Sequence, residues 1–232
     1  MTVIAILLTF ASGASDVTSF TRLGNVFTSV MTGNMTVFGL SLARGSVSLA
    51  AHTAVAFAGY VAGVAAGTRL AWHHTERRKP APAATAPGGD WPPHITLTLL
   101  AEVTLFAGVV VGWELTGSKP AGTAQYVILG VAACAMGIQS AAVVHMGLGN
   151  VSTTYLTGTL TGLVSAIARP DGKRAGFRRP GVLVGLVAGA VLAGVLLANA
   201  PAVVPLLPLA AVVAVVLLGS RKIRLRWLQK GS

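Results

Sequence analysis

The sequence predicts an all-α polytopic membrane bundle of about six full crossings plus two polar, broken or re-entrant segments, arranged as a pseudo-two-fold inverted repeat. Three observations carry that expectation. Of 232 residues, 53% are hydrophobic and only 10% charged, with a mean hydropathy of +0.74, whereas soluble domains carry roughly 25% charged residues. Six apolar runs, at 2–20, 49–72, 95–117, 121–145, 180–199 and 202–219, have about the 17–25 residues that a helix needs to span a bilayer. Residues 23–44 also return as 148–169, at a constant offset of 125 and with 10 of 22 positions identical. Leu23-Gly24-Asn25-Val26, Thr28, Thr32-Gly33, Thr36 and Ala43-Arg44 become Leu148-Gly149-Asn150-Val151, Thr153, Thr157-Gly158, Thr161 and Ala168-Arg169. Paired polar, glycine-rich interruptions in an apolar chain are the mark of duplicated membrane proteins.

The first run, 2–20, lacks a basic leading region and flows straight into the first motif, so it reads as a retained helix and not a cleaved signal. Both motifs, 24–43 and 149–168, are rich in Thr, Ser, Gly and Asn. If each crossed, Arg77-Arg78-Lys79 would face opposite to the cluster Arg169, Lys173, Arg174, Arg178 and Arg179. If neither crosses, the 73–93 loop, that cluster and the tail (Arg221, Lys222, Arg224, Arg226, Lys230) share one side, the cytoplasm by the positive-inside rule. Three crossings then precede the second repeat, which inverts it. The organisation that follows is 1–72 as the first part of repeat 1, 73–93 as a flexible cytoplasmic loop, 94–118 as its last helix, 119–219 as repeat 2, and 220–232 as a basic cytoplasmic tail. Both termini are expected in the cytoplasm.

The net charge of +11 points to anionic lipid headgroups at the basic loops and tail, not to nucleic acid, because the cations sit in short runs beside apolar segments. Cys134 is the single cysteine, so no intramolecular disulfide forms. His73-His74 in the linker reads as solvated. No Gly-x-Ser-x-Gly elbow, His-Glu-x-x-His, Walker loop or metal-spaced His/Cys cluster is present. The expectation is a non-enzyme with no cofactor, no metal and no catalytic residue. A homo-oligomer is compatible with these features.

Asp16 is the sharpest residue. A carboxylate at the centre of a membrane helix costs about 2.5–3.5 kcal/mol on insertion scales, so it either takes part in coupling or substrate binding, or caps the start of the next segment. The Thr-Gly-Asn and Thr-Gly-Thr steps offer backbone freedom with hydroxyl and amide groups. The expected substrate-binding set is Asp16, Asn25, Thr28, Thr32, Gly33, Asn34, Gln139, Asn150, Thr153, Thr157, Gly158 and Thr159, meeting near the midplane between the repeats. Gln139 and Ser140 occupy about the place in the second repeat that Ser15 and Asp16 occupy in the first. Glu102 lies about two turns into its segment and is a candidate for a cavity-facing carboxyl; Glu114, near Lys119, and His145 read as interfacial. The ladders Gly59, Gly63, Gly67 and Gly181, Gly185, Gly189 read as packing seams.

Phe27-Thr28-Ser29-Val30-Met31-Thr32-Gly33-Asn34, Ala135-Met136-Gly137-Ile138-Gln139-Ser140-Ala141 and Thr153-Thr154-Tyr155-Leu156-Thr157-Gly158-Thr159, together with Gly13 and Asp16, resemble the YoaK-type family of bacterial inner-membrane proteins. The resemblance covers essentially the whole chain. It implies a bacterial multi-pass inner-membrane protein and supplies no catalytic residues. The functional expectation is a small transporter or permease for a small neutral solute, because buried charges are few. The alternatives are a passive channel of the same architecture, or a non-transport assembly or stress factor.

Overall fold

The computed structural model describes residues 1–75, 93–146, 156–167 and 178–230. It contains α1 (Thr2–Arg22), α2 (Met31–Ala43), α3 (Val47–Thr75), α4 (Pro93–Leu115), α5 (Gly122–His145), α6 (Leu156–Ile167), α7 (Arg178–Asn199), a 3-10 turn (Pro201–Val203) and α8 (Leu206–Lys230). Six helical stretches are long and apolar enough to cross a membrane: Thr2–Arg22, Val47–Trp72, Ile95–Leu115, Gly122–His145, Pro180–Asn199 and Pro201–Ser220. They match the six apolar runs to within a few residues. The chain is therefore a polytopic helical membrane protein, and its environment is a lipid bilayer.

The motifs form only short helices. At 1.5 Å per residue, the 13 residues of α2 reach about 20 Å, short of a hydrocarbon core of about 30 Å. The 12 residues of α6 reach less. Two spanning helices run past the expected limits: α3 continues to Thr75, and α8 carries on through the basic tail to Lys230. A run of Arg, Lys, Leu and Gln has good helix propensity, so no stop signal ends α8 where its apolar stretch ends.

Helix direction follows from the contacts. Gln125 and Gln139 of α5 bond the Arg22 and Leu8 carbonyls of α1 respectively, so α1 and α5 run antiparallel. These two first helices are the centre of the bundle: 67% and 72% of their spans is buried, against 22–39% for the other four. Large apolar side chains on α3, α4, α7 and α8 face outward, among them Phe57, Val111, Val187 and Leu217, as lipid contact requires.

The glycines determine which helices pair. A Cβ on Gly63 would strike the Cys134 carbonyl, and one on Gly137 would strike the Tyr60 carbonyl, so α3 lies backbone to backbone on α5. In the same way Gly189 meets the Phe10 carbonyl and Gly13 the Leu186 carbonyl, so α7 lies on α1. The two seams use equivalent positions of the two repeats. Each repeat thus lends its first helix to the other: α1 packs with α7 and α8, and α5 packs with α3 and α4.

The α1 and α4 C-termini, the α3 and α5 N-termini and the α7–α8 turn gather at one end. Arg22 donates to the Leu197 carbonyl at 3.4 Å, Trp113 Nε1 to the Pro201 carbonyl at 2.9 Å, and Gln125 Nε2 to the Arg22 carbonyl at 2.8 Å. The opposite end receives the C-termini of α3, α5 and α8 and the N-termini of α4 and α7, which flank all three basic segments. Residues 76–92 of the predicted 73–93 loop lie outside the described residues.

Candidate functional site

The first motif is a dip pinned to α1. Gly24 and Asn25 both have positive φ, +94° and +57°, which reverses the chain just after α1. Glycine takes this conformation without strain, and Asn is among the residues that tolerate it best. Gly24 has a second constraint, since a Cβ there would overlap the His52 ring. Leu23 and Val26 then bury themselves in the bundle, and Phe27 stacks on Phe20 with ring centroids 5.1 Å apart.

At the bottom of the dip the Asp16 carboxylate gathers four donors. Its Oδ1 accepts from the Thr28 and Ser29 backbone N–H groups at 2.9 and 2.8 Å and from Thr28 Oγ1 at 3.0 Å. Its Oδ2 accepts from Ser29 Oγ at 2.6 Å. Thr28 Oγ1 also lies 3.0 Å from Ser15 Oγ. The carboxylate holds the two residues that precede the Val30 N-cap of α2, which has no side-chain cap hydrogen bond of its own. It serves the N–H groups that a non-helical segment at this depth cannot satisfy from lipid.

Asn34, one turn into α2, clamps the same loop from the other side. Its Oδ1 accepts from the Phe27 N–H at 2.8 Å, and its Nδ2 donates to the Phe27 carbonyl at 2.6 Å. Asn34→Ala leaves both Phe27 groups without partners and should cost about 2 kcal/mol of stability. Thermal unfolding of the detergent-purified protein checks this, with Thr36→Ala, an exposed neighbour, expected to unfold like the wild type.

Of the expected substrate set, the structure brings together Asp16, Thr28 and Asn34 around this loop. Asn25 is an exposed turn residue, Thr32 is exposed and Gly33 half-buried. In α6, Thr157 and Gly158 are exposed while Thr159 is buried; Asn150 and Thr153 lie outside the described residues. Among the described residues α2 packs on α3 and α6 on α7, so each short helix is held by its own repeat's third helix.

Gln139 belongs to a second polar group, on the α1–α5 boundary. Its Nε2 donates to the Leu8 carbonyl at 3.2 Å and to Ser12 Oγ at 3.0 Å. A third group closes the end of the bundle near Arg22. There His52 bonds the Ser48 carbonyl and Gln125 Oε1, and stacks on Tyr126 with centroids 4.1 Å apart. Sequence reasoning missed Ser29, His52 and Gln125. Ser29 was signalled by its place beside Thr28, but nothing in the chain marks His52 and Gln125 as partners 73 residues apart.

Between α1, α4, α5 and α8 lies a cavity of about 20 Å³, lined by Ser15, Thr18, Phe106, Trp113, Ala132 and Pro208 among others. That is room for a water-sized guest. No set of three or more His, Cys, Asp or Glu side chains is placed to hold a metal among the described residues.

Residues 4–219 match the family model described as "Protein of unknown function (DUF1275)". The chain is also 27% identical over 162 residues to the UPF0700 transmembrane protein YoaK of Bacillus subtilis (strain 168). That alignment covers 70% of this chain and 65% of the relative, so the chain spans just under two thirds of that protein's length. No solved structure matches.

Proposed function

The chain belongs to the DUF1275 family, and from that premise we propose that it is a non-enzymatic secondary permease moving a small neutral solute between its two repeats. One observation carries the reading, the way the bundle divides. α1 with α7 and α8 forms one body, and α5 with α3 and α4 the other. Inside the bodies the α1–α7 and α3–α5 pairs are backbone-tight. Between them, the α1–α5 boundary is bridged by side-chain hydrogen bonds from Gln125 and Gln139, which in membrane proteins average only about 0.6 kcal/mol each. The bodies also meet where α4 packs on α8 and Trp113 bonds the Pro201 carbonyl, but among the described residues no glycine brings their backbones together. Bodies tighter within than between are suited to rocking, and repeated transporters work by rocking one part against another around a midplane site.

The scarcity of charge along that boundary favours a neutral solute. The helix ends that flank the basic segments lie at one end, which supports placing that end, with both termini, in the cytoplasm of an inner membrane, where the cations meet anionic headgroups. Purified protein in liposomes, offered a panel of small neutral solutes, tests the proposal. Accumulation of one solute above its outside concentration under an ion gradient is expected. Equilibration alone makes the protein a channel, and no flux for any solute removes transport.

A further inference from the structure

We propose that Glu102 is a proton-binding group, the carboxyl at which this bundle takes up and releases a proton during its cycle. Three buried side-chain oxygens lack a hydrogen-bond partner among the described residues: both of Glu102 and Oε1 of Gln139. Both side chains are sealed from solvent, at 0% and 1% exposure. They also share a level. Gly112 of α4 lies beside Ile128 of α5, and the two helices are antiparallel, so ten residues down α4 Glu102 arrives opposite Ile138 and Gln139.

Glu102 continues the buried face of α4 formed by Phe106, Val109 and Trp113, the three residues that wall the cavity. On the facing side Ser15 lines the same cavity, and Ser12, one turn further along α1, meets Gln139. The interior of α1, α4, α5 and α8 thus runs from a small cavity near Trp113 down to the level of Glu102 and Gln139, whose oxygens have no donor among the described residues.

The chemistry missing at that level is a donor or a positive charge. Of the helices packed on α4, α8 has no ionisable residue from Leu206 to Ser220. α5 carries Tyr126, Cys134 and His145, and α3, from Val47 to Trp72, carries His52, Tyr60 and Arg69. None of these reaches the Glu102 carboxyl. A hard metal cation takes about six oxygen ligands, whereas the buried side-chain oxygens without a hydrogen-bond partner among the described residues number three. A proton needs one. It converts the carboxylate into a neutral acid, removing the cost of a bare charge in an apolar bundle, and leaves again to water when the cavity extends to it. The sequence placed Glu102 two turns into its segment, but only the packing shows it without a partner.

The coupling role rests on the permease reading; the proton site does not, so the first measurement needs no flux. Infrared difference spectra of the detergent-purified full chain, between acidic and alkaline buffer, should contain a carboxylic-acid carbonyl band that is lost in Glu102→Gln and shifted in Glu102→Asp. Replacing choline by sodium at constant pH should leave it unchanged. Identical spectra for wild type and Glu102→Gln, or a band removed by sodium, overturn the proton site. In liposomes an imposed pH gradient should raise solute uptake several-fold in the wild type and not in Glu102→Gln. A band without that stimulation overturns the coupling and leaves the proton site standing.

Discussion

Gly63→Ala and Gly189→Ala should each cripple the protein, and by similar amounts. At either position the new methyl falls on a carbonyl oxygen of the facing helix, Cys134 in one seam and Phe10 in the other. Backbone atoms cannot rotate out of the way as a flexible side chain does, so a whole helix must move outward and the neighbouring contacts along the seam open with it. Overpacking a close-packed interface costs about 1–3 kcal/mol and sometimes more; these sites should lie at or above the top of that range. Gly108→Ala and Gly194→Ala supply the control, because nothing lies within 4 Å of a Cβ there, and each should gain up to about 1 kcal/mol of helix propensity. Membrane accumulation and thermal unfolding give the comparison. If Gly63→Ala behaves like Gly108→Ala, α3 and α5 do not meet as described.

Asp16→Ala should cost at least about 3 kcal/mol. It strands two backbone N–H groups and the Ser29 hydroxyl, while the Thr28 hydroxyl keeps Ser15 Oγ, and each buried donor without a partner costs about 1–3 kcal/mol. The smaller figure of about 0.6 kcal/mol for hydrogen bonds between membrane helices does not apply, because the acceptor is a carboxylate and the 23–30 loop has no helical partners to fall back on. Asp16→Asn keeps one accepting oxygen, and its amide can donate to the Ser29 hydroxyl, so it should lose about half as much. Unfolding midpoints of the three proteins in one detergent read the order wild type, Asn, Ala. A wild-type midpoint for the alanine variant would show that the dip holds without its anchor.

The six crossings were legible because span length and apolarity are local properties. So was the fact that the two motifs stop short of crossing, since their Gly and Thr steps depart from the apolar pattern on either side. Which helix each glycine ladder faces was not legible. Spacing shows that Gly59, Gly63 and Gly67 make a seam, yet the partner is set by the arrangement of the whole bundle. Asn25 shows the opposite failure. A polar residue in a motif at membrane depth reads as a binding group, whereas its positive φ makes it a turn residue beside Gly24. Asp16 stood out as a carboxylate needing compensation, and its four partners are the Thr28 and Ser29 groups of the loop that leads into α2. Thr28 and Asn34 serve the same loop. Glu102 stood out as a carboxyl two turns into its segment, but the absence of any partner for it among the described residues is set by the packing of the bundle.

The exchange of first helices also sets the order in which the protein can be completed. During synthesis α1 enters the bilayer first, but the helix that fills the surface around Phe10 and Gly13 is α7, some 170 residues later. Until then the α1 face around Phe10 and Gly13 lacks the glycine seam that covers it, and the dip fastened to Asp16 ties α1 to the start of α2. A ribosome that stalls after repeat 1 releases a chain whose central helix has no mate, a ready substrate for membrane proteases. For the same reason the two repeats made as separate polypeptides should accumulate only when they are produced together.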